Sequence, residues 1–165
     1  MTKLLNFLAR TPVLWTMFIL FLILGVGFHF AQQAVGGPLL DMQMNAKQAL
    51  VRLGEMSAAQ KHIHLVATLT LDTLYPLAYG GLLAGLVWRF GGKFRNFLVI
   101  PASLAVITDF AENTVQAFAL AGSESMLAAK DILTPLKYTS LILAAIITLV
   151  LLLIAVVKRL QTTKT

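Results

Sequence analysis

The chain has no cysteine, which excludes disulfides, thiolate metal centres and cysteine nucleophiles. Charge is scarce: Asp, Glu, Lys and Arg make up 12% of the residues, against roughly 25% in soluble domains. Acids are the scarcer sign, seven against thirteen Lys and Arg, for a net charge of +6. Catalytic signatures are missing as well. No Gly-x-Ser-x-Gly motif or phosphate-binding glycine loop is present, so Ser103 and Ser140 have no nucleophile context. Neither a His-Glu-x-x-His helix nor a Glu-x-x-His pair occurs. His62 and His64 are two apart, which on a helix turns them about 200° from each other. No catalytic residue, metal site or cofactor is expected from these patterns. Repeats and low-complexity segments are also lacking, and with them the inverted repeat that secondary transporters carry.

What the chain does have is apolar length. Hydrophobic residues reach 58% and the mean hydropathy is +0.82. Four runs, at about 13–31, 64–88, 97–121 and 137–157, are each near or above the ~20 residues that a ~30 Å hydrocarbon core requires. By length, residues 1–165 form a single membrane domain. The first run reads as a retained anchor and not a cleaved signal, because "HFA" and "QQA" put His29 or Gln32 where a cleavage site needs a small residue. The fold expected is all-α: an integral membrane four-helix bundle.

The positive residues flank these runs and do not gather on one polar face, so nucleic acid is not an expected partner. With the N-terminus inside, the inner segments hold Lys3, Arg10, Arg89, Lys93, Arg95, Lys158, Arg159 and Lys164. The outer ones hold Lys47, Arg52, Lys61, Lys130 and, at the membrane edge, Lys137. The short loop "RFGGKFR" weighs most, because short loops govern orientation. Asp41, Glu55, Glu124 and Asp131 all fall outside. A multi-pass protein with both termini cytoplasmic is predicted, in a design suited to a bacterial cytoplasmic membrane.

Between the first two runs, Gly36, Gly37 and Pro38 break the chain. Leu39, Met42, Ala46, Ala49, Leu50 and Leu53 then recur at helical spacing. A short amphipathic helix is predicted over about 38–53, stopped by Gly54, on the outer membrane surface or across the bundle mouth. Ser57 and Gln60 form a capping box for a helix starting near Ala58. A second outer helical stretch is expected over 124–132. Thr134 and Pro135 would then serve as cap and first turn of the last span.

Three acids, Asp72, Asp109 and Glu112, lie inside the apolar runs. A carboxylate at mid-bilayer costs about 2.5–3.5 kcal/mol on the insertion scale, so such residues face protein and mark function by default. In the second run His64, Thr68, Asp72, Tyr75 and Tyr79 are spaced by four, four, three and four, one polar stripe. Pro76 has no N–H, which frees the carbonyl of Asp72. Gly81 and Gly85 have the spacing of close helix packing. In the third run Asp109, Glu112, Asn113 and Gln116 share a face. About nine strongly apolar residues supply roughly −3 to −5 kcal/mol there, which barely offsets two carboxylates at about +5 to +7, so that face must be covered. The fourth run has no charge after Lys137 until Lys158, and is the one expected to face lipid.

Both acidic stripes fall in the outer half of the membrane, where Lys137 and Tyr138 enter the fourth helix and His29 leaves the first. Asp72, Tyr75, Tyr79, Asp109, Glu112, Asn113 and Lys137 are therefore the candidate ligand- or proton-binding residues. His29, His64, Gln116 and Tyr138 are peripheral candidates. Asp72 and Glu112 are expected to share one site, with a proton, Lys137 or a bound cation relieving their repulsion. The reading of function is a site that binds or relays a proton, a cation or a small amphipathic ligand, reached from the outer face. Two alternatives stand beside it. One is a membrane enzyme doing acid–base chemistry on a lipid-like substrate, which two carboxylates and two tyrosines would allow. The other is an assembly protein whose polar groups lock helix packing. The partners expected are the lipid bilayer and a membrane-protein partner or a second copy.

The segment "LDTLYPLAYG" followed by "DFAEN" resembles a group of small bacterial four-span membrane proteins. The resemblance rests on Asp72, Tyr75, Pro76, Tyr79, Gly80, Asp109, Glu112 and Asn113. It implies a four-helix architecture and carries over no reaction, cofactor or substrate.

Overall fold

A computed structural model describes residues 2–162, and Lys164 lies outside the described residues. The regular structure of those residues is all helical, without strands. The helices are α1 (Thr2–Leu8), α2 (Thr11–Val35), α3 (Ala46–Glu55), α4 (Ala58–Leu69), α5 (Leu71–Phe90), α6 (Arg95–Leu98), α7 (Ile100–Leu120) and α8 (Lys130–Thr162). Single 3₁₀ turns at Leu40–Met42, Gly92–Phe94 and Leu127–Ala129 connect them. Three stretches are long and apolar enough to cross a membrane: Thr11–Val35, Gly92–Leu120 and Leu127–Thr162.

The second expected crossing differs. Residues 64–88 do not form one continuous helix but belong to two helices that meet at Thr70, whose ψ of −78° departs from helix geometry. The Thr73 hydroxyl donates to the Thr68 carbonyl at 3.0 Å across this break. Pro76 opens a second gap one turn later, where the Asp72 carbonyl loses its helical donor. The polar stripe also lowers the hydropathy of this stretch. The structure therefore supports three membrane-crossing helices by length and composition.

The outer segment is corrected as well. No continuous helix covers 38–53. The 3₁₀ turn at Leu40–Met42 ends and α3 begins afresh, because Asn45 caps it: Asn45 Oδ1 accepts from the Gln48 amide, and Gln48 Oε1 accepts from the Met44 amide, both at 2.9 Å. Gly54 stays inside α3, which ends at Glu55. Ala49, Arg52 and Leu53 form its buried side, whereas Met42 and Leu50, assigned above to the apolar face, are exposed. The Ser57–Gln60 capping box is formed and α4 starts at Ala58. Thr134 and Pro135 do not cap the last helix. The turn at Leu127–Ala129 leads straight into α8, which has begun a turn earlier, at Lys130.

Two apolar clusters frame the interior. One gathers Val35, Leu39, Leu40, Leu53 and Leu120 at one end, and the other gathers Leu5, Val87, Trp88, Val99 and Ala144 at the opposite end. At that second end α1 is held by Trp88, whose indole N–H donates to Asn6 Oδ1 at 2.7 Å. Gly85 explains the tight fit: a Cβ there would stand 2.6 Å from the Leu8 carbonyl oxygen and 2.8 Å from Leu14 Cδ2. Between the two clusters, along the first half of α5, the first turns of α8 and the second half of α7, the interior is polar.

Candidate functional site

The polar layer is built by helical periodicity. Asp109, Glu112, Asn113 and Gln116 all point inward from α7, and each is 95% buried or more. Opposite them α8 turns in Lys130, Thr134, Lys137 and Ser140, spaced by four, three and three. From α4 and α5 come His64, Thr68, Asp72 and Tyr79, also buried, with Tyr75 half-buried.

Glu112 sits at the centre and is fully buried. It forms ion pairs with Lys130 and, at 2.6 Å, with Lys137, and its Oε1 accepts from the Thr134 hydroxyl at 2.5 Å. Lys137 also pairs with Asp41, and its Nζ lies 3.7 Å from Asp109 Oδ1. Asp109 Oδ2 accepts from the Tyr79 hydroxyl at 2.8 Å. Carboxylate oxygens of Asp41, Asp72 and Asp109 lie within 4.8 Å of one another. Asp72 and Glu112 are thus linked through Asp109, Asp41 and Lys137.

Two charged members were not among the candidates read from sequence, namely Asp41 and Lys130. Both were assigned to outer connections. For Lys130 a signal existed: its spacing of four and seven to Thr134 and Lys137 places all three on one face of a helix, once that helix is known to start early. For Asp41 there was none, because it reaches the cluster through tertiary contacts alone. His64 supplies the main one. Its Nε2 accepts from the Leu40 amide at 2.7 Å while its Nδ1 lies 3.1 Å from the Thr68 hydroxyl. A ring nitrogen that accepts carries no proton, so this histidine is neutral with the proton on Nδ1. Arg52 donates to the Pro38 carbonyl at 2.9 Å, and Tyr138 donates to the Asp41 carbonyl at 3.4 Å. The turn carrying Asp41 is therefore fastened on several sides.

The other sequence candidates divide. Asn113 donates from Nδ2 to the Asp72 carbonyl at 2.5 Å, replacing the donor that Pro76 lacks. The free carbonyl is thus occupied by protein. Gln116 is fully buried, and neither its Oε1 nor its Nε2 has a hydrogen-bond partner. His29 does not join the cluster: it is exposed and lies 2.9 Å from Gln33 Nε2. It lines instead the mouth of a cavity of about 300 Å³ with Gly25, Phe28, Gln32, Asp41 and Tyr75. The Tyr75 ring stacks on Phe21 and meets Phe28 and Tyr79 edge-on, with centroids 5.2 to 5.7 Å apart. Tyr75 thus lines the cavity on one side and meets Tyr79, the hydrogen-bond partner of Asp109, on the other.

Glu112 and Lys130 make a neutral pair. What remains is three carboxylates against the single ammonium of Lys137, an excess of two negative charges in a desolvated space. Such an arrangement can hold a cation or protons. Comparison of the chain with protein-family models, with curated proteins and with solved structures finds no match.

Proposed function

We propose that this chain is a four-pass membrane protein that binds a cation or protons at a buried acidic site in the outer half of its bundle. The observation that carries the reading is the approach of Asp41, Asp72 and Asp109 within 4.8 Å around a single lysine. Buried charges are tolerated where they are paired, and unpaired excess invites a positively charged ligand. In this reading α4 and α5 together make the second crossing, and the basic residues Arg10, Arg89, Lys93 and Arg95 lie on the cytoplasmic side of a bacterial inner membrane. The cavity at Tyr75 and Asp41 then opens outward and serves as the entrance.

A packing role is the second reading, favoured by Lys137, which ties the connector to two carboxylates of α7. One experiment separates them. The melting temperature of the purified chain in lipid nanodiscs is followed across pH and across sodium, potassium, calcium and methylammonium. A binding site requires that one of these ligands stabilise the fold by several degrees, and that the effect vanish in an Asp72→Asn/Asp109→Asn variant. A melting temperature indifferent to pH and to every cation would leave only packing.

A further inference from the structure

The charge, spacing and donor type of the cluster narrow the ligand. Resting on the cation-site reading above, we propose that Asp41, Asp72 and Asp109 form a site for one hard divalent cation of calcium size. Two oxygens bound to a common calcium ion at about 2.3–2.6 Å can lie up to about 5 Å apart. Three oxygens mutually within 4.8 Å lie no more than about 2.8 Å from a common centre, so a small movement brings all three to calcium–oxygen distance. A magnesium ion, at about 2.0–2.1 Å, demands a more compact and near-ideal octahedral set.

Two of the three carboxylates carry oxygens that no donor among the described residues satisfies by a hydrogen bond. Asp72 is 4% exposed, and its carboxylate takes no hydrogen bond from the described residues, whose one bond to Asp72 goes to its backbone carbonyl. Asp109 is 5% exposed, and its Oδ1 is likewise without a hydrogen-bond donor. Neighbouring donors are committed elsewhere: Asn113 to the Asp72 carbonyl, Tyr79 to Asp109 Oδ2, Lys130 and Thr134 to Glu112. Charge agrees, since one divalent ion with Lys137 balances three aspartates. Chemistry agrees too. The donors are all carboxylate oxygens, the chain has no cysteine, and His64 is occupied by Leu40 and Thr68, so soft transition metals find no preferred ligand. The cavity at Asp41 supplies the path of approach. Lys137 stays in the site as the third positive charge and limits it to one ion.

The test uses the full chain in lipid nanodiscs after treatment with a chelator. Calorimetry should show one calcium ion bound per chain, and manganese, the paramagnetic stand-in, should compete for it. With no native cysteine, nitroxide labels can be placed singly. A label on Gln43→Cys should be strongly broadened by bound manganese, one on Gly92→Cys should not, and calcium should reverse the effect. Asp109→Asn should weaken calcium binding tenfold or more. If that variant fails to fold, the label result on otherwise native protein still decides. Absence of calcium and manganese binding, with stabilisation by protons or methylammonium intact, would overturn the metal assignment and leave the cation site standing. Absence of every stabilising ligand would overturn both.

Discussion

Glu112 shows how a buried acid is made tolerable. Its carboxylate is fully buried, yet both oxygens face lysines, and Thr134 adds a hydroxyl donor. Removing one partner of such a pair leaves an uncompensated charge and typically costs about 3–5 kcal/mol, whereas replacing both by apolar groups of similar volume is often neutral. Lys130→Met alone should therefore destabilise strongly. Lys130→Met with Glu112→Gln should recover part of the loss, because the carboxylate left behind is gone. Reversible unfolding in mixed micelles, run as a double-mutant cycle, measures the coupling. Additive losses would mean that Lys130 does not see Glu112.

At the scale of elements, the broken second helix is the instructive one. Pro76 removes the donor that the Asp72 carbonyl would have had, and Asn113 on α7 supplies another at 2.5 Å. A defect within one helix thus becomes a link between two. Asn113→Ala should cost about 1–3 kcal/mol, the penalty of an unsatisfied buried acceptor. Adding Pro76→Ala to that variant should return a good part of it, because the new N–H can rejoin its own helix. In the native background the same Pro76→Ala should gain little. Unfolding measurements on the three variants test this, and equal effects of Pro76→Ala in both backgrounds would sink the account. The proline was visible in the sequence, as was the freed carbonyl. That Asn113 satisfies it was not, since the two lie forty-one positions apart and only helix packing brings them together.

For the molecule as a whole, the question is which way it lies in the membrane. α8 spans about 50 Å at 1.5 Å per residue, more than a hydrocarbon core of ~30 Å, so one of its ends stands outside the apolar layer. Its second half is sheathed in exposed apolar side chains such as Leu149, Leu153, Ile154 and Val157, a surface suited to lipid. In the proposed topology the basic loop between α5 and α6 lies inside, as the excess of Lys and Arg in short inner loops requires. Single cysteines test the orientation. An impermeant thiol reagent added to intact cells should label Asn45→Cys and spare Gly92→Cys. The opposite pattern would invert the topology and move the cavity entrance to the cytoplasm.

The sequence by itself determined what local rules govern. Apolar length, the inward faces of α7 and of the polar residues in α4 and α5, and the capping box at Ser57 all follow from periodicity and from neighbours within one turn. It also identified Asp72, Asp109 and Glu112 as residues too costly to leave in lipid, and Lys137 as a candidate partner for them. The tertiary structure decided the rest, for two physical reasons. Helix ends depend on competing caps and turns, and so the outer segment divided at Asn45 and α8 began at Lys130. The make-up of the site depends on contacts between residues distant in the chain. Asp41 sits in a short turn with no periodicity to read, and it enters the acidic cluster only because His64, Arg52, Tyr138 and Lys137 hold that turn against the bundle.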